Sequence, residues 1–327
     1  MSGAMTFREY TRDDLPGLFK LWEEDAGWGA LDEKTWNEWF VDTPHGKCLI
    51  VIAVDDEGAV LGQQSFRPAR VAVGEREVDA IQISAPILKG GLRLRSLNVL
   101  SHPMVGMFKA AMELAREKGY ALLYGLPQRA FLRVFRIGRL IGFPNAPMTS
   151  YPCVAAPTRS GASTPASGLT VRPSKEFSDE FSQLWGSARR NLPIDCGIVR
   201  DPAWLRYRHG DATTVVELRE DGSGALVGYS SIRNNDGLLF DMLPKDVERI
   251  SDVLAATLAW MRGGSLEASR IEGGKLKVMK TPVLARALDE LGFEPEEFKF
   301  GFACYPLGGG LARADVVTDR WYIMPGD

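Results

Sequence analysis

An internal repeat is the feature of this sequence that most restricts its fold. An ordered segment opens at Phe7-Arg8 and runs into Leu21-Trp22, and a second one opens at Val171-Arg172 and runs into Leu184-Trp185. Self-similarity at a long, fixed spacing indicates a duplicated structural unit. The chain is therefore expected to consist of two related halves.

Each half then contains two apolar runs separated by turn-forming residues. The first pair is Cys48–Val54 with Val60–Gln63, and the second is Thr214–Leu218 with Leu226–Tyr229. Asp and Gly between such runs predict strand hairpins. Each half later carries a helix that ends in a Gly-Phe pair, and a glycine after a helix is a C-cap signal. These pairs are Gly142-Phe143 and Gly292-Phe293. The alternation of helices and strands predicts an α/β layer structure in both halves.

Between the halves lies a stretch rich in small and turn-forming residues, Ala155–Gly168. It has no hydrophobic periodicity, so it is interpreted as a flexible linker. We expect an N-terminal domain over residues 1–154, a linker over 155–168 and a C-terminal domain over 169–327. A chain of 327 residues has room for two domains of about 150 residues each.

Charge and hydrophobicity exclude several classes of partner. The net charge of −3 gives no electrostatic basis for binding nucleic acid or an anionic membrane. No apolar run approaches the roughly 18 residues of a membrane span. The first ten residues contain no apolar signal core, so we expect a cytoplasmic protein.

The cysteines and histidines are scattered along the chain. Cys48, Cys153, Cys196 and Cys304 form no C-x-x-C pair. This spacing argues against a zinc site and against a disulfide framework, and it favours buried free thiols in a reducing compartment. We expect no bound metal.

A strand, a glycine-containing turn and a helix follow one another in the first half. Leu97–Leu100 is interpreted as a buried strand, Met107–Ala115 has a helical apolar stripe, and Tyr120–Leu126 is a further apolar strand. The turn 101–106 contains Gly106. In this geometry, backbone N–H groups at a helix N-terminus face an anion such as a phosphate.

These residues carry a resemblance to a known superfamily. The strand and His-Pro pair of 98–103, followed by Gly106–Ala111, are similar to the acyl-CoA signature of the GNAT N-acetyltransferases. Leu123–Gln128 resembles the fifth strand of that fold, and Val199–Arg208 and Trp321–Asp327 look like segments of its tandem members. The resemblance covers nearly the whole chain. It implies an α/β fold of two GNAT-like domains, each a mixed, mostly antiparallel sheet flanked by helices.

The resemblance also implies a function and a site. The expected function is transfer of an acyl group, most simply acetyl, from acetyl-CoA or another acyl-CoA to a small amine or amino sugar. The expected site lies between the strands 97–100 and 120–126. By resemblance, the residues that bind the acyl-CoA are Leu97, Asn98, Val99, Leu100, Val105, Gly106, Met107 and Gln128.

Two departures from the superfamily pattern leave alternatives open. The phosphate-binding loop is shortened, so that Gly106 alone stands for its glycines, while Ala85–Arg95 is interpreted as an insertion. The basic residues of that insertion either contact phosphates or form an ordinary solvated loop. They are Lys89, Arg93 and Arg95. Phe131 and Phe135 lie where many members place a tyrosine that acts as general acid.

The candidate general bases are His102, Glu24 and Asp241. An imidazole has a suitable intrinsic pKa, although the resemblance gives His102 a turn role. Asp241 follows the apolar strand Gly237–Phe240, which the repeat makes equivalent to the acyl-CoA strand, and it also has the pattern of a strand-ending or capping Asp. The second half has no glycine-rich loop, so we interpret it as a degenerate copy that shapes the acceptor pocket.

Two other functions remain open from the sequence. The first is a catalytically inactive GNAT-like protein that binds a metabolite or a protein partner, which the shortened loop and the absent tyrosine favour. The second is transfer of aminoacyl groups from tRNA, which the acidic balance disfavours. The oligomeric state is open.

Overall fold

The computed structural model describes residues 5–27, 29–92, 102–127, 148–157, 168–174, 176–263 and 274–327. The chain divides into two compact units that are not continuous in sequence. Unit 1 comprises Met1–Val71, Arg76–Met148 and Phe302–Val316. Unit 2 comprises Ala72–Glu75, Thr149–Gly301 and Val317–Asp327.

The strands and helices of the described residues alternate along the chain. In order they are β1 (Thr6–Glu9), α1 (Leu15–Leu21), α2 (Glu33–Trp36), β2 (Leu49–Val54), β3 (Val60–Val73), β4 (Arg76–Leu88), α3 (Pro103–Glu117), β5 (Leu122–Gly125), β6 (Met148–Pro157), β7 (Leu169–Ser174), α4 (Asp179–Asn191), β8 (Cys196–Ile198), α5 (Pro202–Arg208), β9 (Thr213–Glu220), β10 (Leu226–Arg233), β11 (Leu238–Pro244), α6 (Arg249–Arg262), β12 (Lys275–Met279), α7 (Ala285–Glu290), β13 (Glu294–Pro306) and β14 (Trp321–Tyr322). The π-helical turns Trp22–Ala26 and Asn37–Val41 extend α1 and α2.

The sheet of unit 1 has the strand order β1-β2-β3-β4-β5-β13. β1 pairs with β2 and β2 with β3 in antiparallel fashion, β4 and β5 are parallel, and β5 and β13 are antiparallel. Side chains alternate along a strand. Leu49 and Val51 lie on the side of the sheet that packs against α3, which we call the α3 face. Ile50 and Ile52 lie on the opposite side of the sheet, which packs against α1 and α2 and which we call the α1–α2 face.

The sheet of unit 2 repeats this arrangement. Its order is β7-β9-β10-β11-β12-β6. The first three pairings are antiparallel, β11 and β12 are parallel, and β12 and β6 are antiparallel. Each unit is thus a mixed, mostly antiparallel sheet with helices, as predicted, and the two sheets share the same order and strand directions.

The sixth strand of each sheet comes from the other half of the sequence. In unit 2, β6 pairs with β12 from Cys153↔Met279 to Pro157↔Lys275. In unit 1, the end of β13 pairs with β5 from Ala303↔Gly125 to Pro306↔Leu122. The prediction that a linker begins at residue 155 is therefore wrong for residues 155–157, which end β6. Small residues are common both in linkers and in buried strands, and Ala155 and Ala156 are buried.

The four cysteines are buried and unoxidised, which confirms the prediction of free thiols. Burial raises the pKa of Cys48 to about 12 and that of Cys153 to about 11, so both are neutral at physiological pH. Within the described ranges, no cluster of His, Cys, Asp and Glu has the composition of a metal site. Over the same ranges, none of the helices combines the length and apolarity needed to cross a bilayer.

Candidate active site

β4 and β5 run side by side only over the first part of β4. Their parallel pairing extends from Ala80↔Leu122 to Gln82↔Tyr124. β4 then continues to Leu88, whereas β5 ends at Gly125. The edge of β4 beyond Gln82 therefore has no partner from β5.

A β-bulge lies in β4 where this pairing stops. Ile83 and Ala85 are two residues apart and would share one face of a regular strand. Instead, Ile83 packs on the α3 face and Ala85 packs on the α1–α2 face. Ala85 also has a φ of 39°, the one positive φ of a non-glycine residue in the described part of the chain. Bulges of this kind bend a strand and are frequent next to active sites.

Side chains of β3 hold the bulge in place. The carbonyl oxygen of Ser84 accepts hydrogen bonds from Ser65 Oγ at 2.8 Å and from Gln64 Nε2 at 3.0 Å. Ser65 and Gln64 are both buried, so these bonds are shielded from water. Sequence reasoning did not single out these residues. The signal that could have found them is the run Gln63-Gln64-Ser65, three consecutive uncharged polar residues in β3.

Gln63 presents a buried amide nitrogen beside this bulge. Trp22 Nε1 donates to Gln63 Oε1 at 2.9 Å. Because an indole N–H is a donor only, this bond fixes the orientation of the amide. Gln63 is fully buried, and its Nε2 atom has no protein partner. A buried donor of this kind is expected to meet a ligand or water oxygen.

The first turn of α3 is capped from within the chain. Met104 N donates to His102 Nδ1 at 3.2 Å. Val105 N and Gly106 N donate to the carbonyl oxygen of His102 at 2.9 Å and 3.4 Å. Pro103 has no N–H group. The amides that were predicted to bind phosphate are therefore engaged with His102.

Val105, Gly106 and Met107, three of the residues predicted to bind the acyl-CoA, have packing roles instead. A Cβ atom on Gly106 would lie 2.3 Å from the ring of Phe7. Val105 and Met107 are buried. The glycine is thus required by contact between α3 and β1, and substitution at Gly106 would test packing rather than ligand binding. The remaining predicted ligand residues lie outside the described residues: Leu97, Asn98, Val99, Leu100 and Gln128. Arg93, Arg95, Phe131 and Phe135 lie outside them as well.

The site that the sequence predicts between strands 97–100 and 120–126 stays a prediction, because residues 97–100 lie outside the described residues. β5 pairs with β4 on one edge and with β13 on the other, so no further strand can pair with it. The strand that diverges from β5 is β4, and Ala85–Leu88, which we predicted as part of an insertion, forms its end.

A cleft lies beside the segment that follows β4. Asp25 Oδ1 accepts a hydrogen bond from Gly90 N at 2.8 Å and so fastens this segment to α1 and its π-helical extension. Glu24, a candidate base, is half-exposed in the same cleft and lies 3.9 Å from Lys20. The charged residues that line the cleft are Asp13, Asp14, Lys20, Glu24, Asp25 and Lys89. Arg8 lowers the pKa of Asp14 to about 2, so this carboxylate is ionised.

Asp241 lies in unit 2, within a buried ionic network. Its carboxylate accepts hydrogen bonds from Arg200 Nη2 at 2.9 Å and from Tyr229 Oη at 2.6 Å. His209 Nε2 is 3.5 Å away. Burial acts to raise the pKa of Asp241, but the charge of Arg200 and the contact with His209 outweigh it and lower the pKa to about 2. A carboxylate this acidic is a weak proton acceptor at neutral pH.

Comparison with solved structures identifies the fold. The chain is similar to a GCN5-related N-acetyltransferase from Anabaena variabilis ATCC 29413, with a TM-score of 0.63 and 13% identity over 93% of this chain and 73% of that one. A GCN5-related N-acetyltransferase from Kribbella flavida has a TM-score of 0.61 and 14% identity over 93% and 70%. Saccharomyces cerevisiae N-myristoyltransferase with bound myristoyl-CoA has a TM-score of 0.60 and 12% identity over 93% and 83%. No protein-family model and no curated protein sequence matches the chain. The chain therefore has the GNAT fold.

Proposed function

We propose that this protein is an acyl-CoA-dependent N-acyltransferase whose active site lies in unit 1, where β4 diverges from β5. The observation that carries the proposal is the bulged stretch of β4 beyond Gln82, whose edge away from β3 is paired by no strand of the described residues. The same fold binds myristoyl-CoA in the yeast N-myristoyltransferase. An acyl-CoA, with acetyl-CoA as the simplest case, is then the co-substrate.

The proposed reaction needs little from side chains. The pantetheine amides pair with the free edge of β4, and a backbone N–H of that edge stabilises the oxyanion that forms at the thioester carbonyl. The acceptor amine attacks this carbon, the C–N bond forms, and the C–S bond breaks. The amine loses a proton, and the departing thiolate takes one up. Holding the two reactants together supplies most of the remaining rate enhancement.

We place the acceptor, a small amine or amino sugar, on the α1–α2 face. Gln63 lies on this face beside Trp22, and its Nε2 atom can donate a hydrogen bond there, while the Ser65 hydroxyl, which donates to Ser84, can accept one. Glu24, in the neighbouring cleft, is the proposed general base. Asp241 has no such role in this proposal, because its lowered pKa makes it a weak proton acceptor and Arg200 already pairs with it.

One observation favours the second candidate, a catalytically inactive protein that binds a metabolite or a protein partner. The amides at the start of α3 are satisfied by His102, so a pyrophosphate would have to displace this cap or bind elsewhere. A protein that has lost phosphate binding could keep such a cap without cost.

Calorimetry and a thiol-release assay separate these two functions. We expect acetyl-CoA to bind the wild type, and Gly125→Leu to abolish binding, because the new side chain would extend from the end of β5 against β4, with its Cβ 3.3 Å from the Cβ of Ile83. Gly308→Leu is the matched control, since nothing lies within 4 Å of a Cβ at that position. Absence of binding at millimolar acetyl-CoA would contradict the proposal. Binding without release of free CoA thiol in the presence of a panel of amines would support the inactive protein.

A further inference from the structure

β11 in unit 2 has the features that define the proposed site on β4. It is parallel to its neighbour β12, with the pair Leu238↔Lys277, and it continues to Pro244. It also contains a bulge. Leu239 pairs with Ile232 and Asp241 with Ser231 of β10, so that Phe240 is the extra residue. Unit 2 therefore has its own diverging, bulged strand.

A segment of the chain itself covers the free edge of β11. After the bulge, Lys245 N donates to the carbonyl oxygen of Val227 at 2.9 Å. Because backbone groups alternate between the two edges of a strand, the carbonyl oxygen of Met242 faces the edge of β11 opposite β10. The carbonyl oxygen of Phe240 accepts a hydrogen bond from Gly326 N at 2.6 Å. That of Met242 accepts one from Tyr322 Oη at 2.6 Å. The segment Trp321–Asp327 thus makes contacts of the kind that a pantetheine amide would make.

In unit 1, the described residues provide no such cover for the corresponding edge of β4. Across the described parts of the chain, no loop residue or residue of the segment 321–327 donates a backbone hydrogen bond to residues 83–88 of β4. The two units share their strand order and the bulge, and among the described residues an occupant of this edge is found only at β11.

Ionic contacts anchor the covering segment. Asp327 Oδ2 accepts hydrogen bonds from Arg200 Nη2 at 2.7 Å and from Met324 N at 2.8 Å. Arg200 is fully buried and also binds Asp241 of β11. One guanidinium therefore joins the segment to the strand that it covers, and Trp321–Met324 are buried as well.

Gly326 is the position that permits the close approach. A Cβ atom there would lie 2.8 Å from the carbonyl oxygen of Phe240 and 2.9 Å from its ring. Real Cβ atoms do not approach backbone oxygens this closely, so any other residue would displace the segment from β11.

We propose that the segment Trp321–Asp327 is an intramolecular occupant of the second acyl-CoA-type slot, so that the chain binds acyl-CoA at one site, in unit 1. The ligand stoichiometry rests on the proposed function, whereas the occupancy of the slot does not. In unit 2, the segment closes the slot that the duplicated fold would otherwise leave open.

Two measurements test this proposal. In calorimetry, the wild type should bind one acetyl-CoA per chain, and two per chain would overturn the proposal. In hydrogen exchange, the Gly326 amide of the wild type should exchange at least about 100-fold more slowly than in an unstructured peptide. An unprotected Gly326 amide would overturn the occupancy.

Substitution at Gly326 adds a directional test. Gly326→Val should increase exchange in Leu238–Pro244 about tenfold or more, while Gly308→Val should leave it unchanged. Unchanged exchange in Gly326→Val would also overturn the proposal. If Gly326→Val does not fold, the hydrogen-exchange protection of the Gly326 amide in the wild type decides whether the segment occupies the slot. If no acetyl-CoA binds at all, the proposed function fails, and the exchange data still decide whether the slot is occupied.

Discussion

His102 has two candidate roles that a pair of substitutions separates. Its ring nitrogen accepts the Met104 amide at 3.2 Å as the N-cap of α3, and asparagine caps helices in the same way. His102→Asn should therefore keep the free energy of unfolding, while His102→Ala should lower it by about 1 kcal/mol. Urea unfolding measures both.

Turnover completes this test. If His102 acts as a cap, His102→Asn should transfer acyl groups within a few-fold of the wild-type rate. A loss of about 100-fold or more in a stable His102→Asn would instead identify the imidazole as a general base and contradict the capping role as its sole function.

Asp327 makes the stability of unit 2 dependent on pH. Burial raises its pKa from 3.8 to about 6, although Arg200 opposes the shift. Between these values, the folded chain binds more protons at this group than the unfolded chain does. Its contribution to stability is therefore complete below pH 3.8 and is lost as pH rises to about 6.

Replacing Asp327 with a residue that does not titrate should make the free energy of unfolding less dependent on pH. Relative to Asp327→Asn, the free energy of unfolding of the wild type should fall by up to about 1.4 kcal/mol per pH unit between pH 4 and 6. Urea unfolding at a series of pH values measures the difference. The exposed Asp211→Asn is the control and should follow the wild type. A difference that rises with pH in this window would contradict the assignment.

The sequence indicated several of the important residues but not their roles. The His-Pro pair and Gly106 were singled out, yet His102 caps α3 and Gly106 makes room for Phe7. Both roles depend on which residues are close in space, which a local pattern does not determine. Gln64 and Ser65 were missed for the same reason, since their partner Ser84 lies on another strand.

At the scale of elements, the bulge in β4 is the feature most open to direct test. Ala85 has a φ of 39°, which costs a residue with a Cβ roughly 1–2 kcal/mol and costs glycine little. Ala85→Gly should therefore raise the free energy of unfolding by about 0.5–1 kcal/mol, after the greater chain entropy of glycine in the unfolded state is subtracted. Ala85→Val should lower it.

The function of the bulge predicts the opposite effect on binding. A glycine at position 85 loosens the strand edge on which the ligand is proposed to lie, so the affinity for acetyl-CoA should fall in Ala85→Gly while stability rises. Urea unfolding and calorimetry on the same preparation give both values. A destabilised Ala85→Gly would show that the strand does not hold this conformation.

Hairpins and helices could be predicted from local pattern, whereas strand partners could not. The runs near Leu49–Val54 and Thr213–Glu220 and the helix Pro103–Glu117 appear where periodicity placed them. β4 was missed because Pro86 interrupts its apolar run, and proline is unusual within strands. Its parallel partner β5 is separated from it by α3, so the pairing is set by tertiary contacts.

At the scale of the whole molecule, the exchange of sixth strands joins the two halves of the sequence. Residues before position 158 supply β6 to the sheet of unit 2, and residues after position 300 supply the end of β13 to the sheet of unit 1. The sequence repeat predicted two halves but not this exchange, because a strand's composition does not indicate which sheet it enters.

The exchange makes a prediction about fragments of the chain. Residues 1–157 expressed alone lack the strand that pairs with β5, and residues 168–327 alone lack the strand that pairs with β12. Each fragment would expose a sheet edge that is covered in the intact chain, and exposed edges favour aggregation. Neither fragment should unfold cooperatively on its own, as measured by circular dichroism during urea titration. Mixed or co-expressed fragments should assemble and unfold cooperatively, because together they contain both exchanged strands. Cooperative unfolding of residues 1–157 alone would show that unit 1 does not need the end of β13.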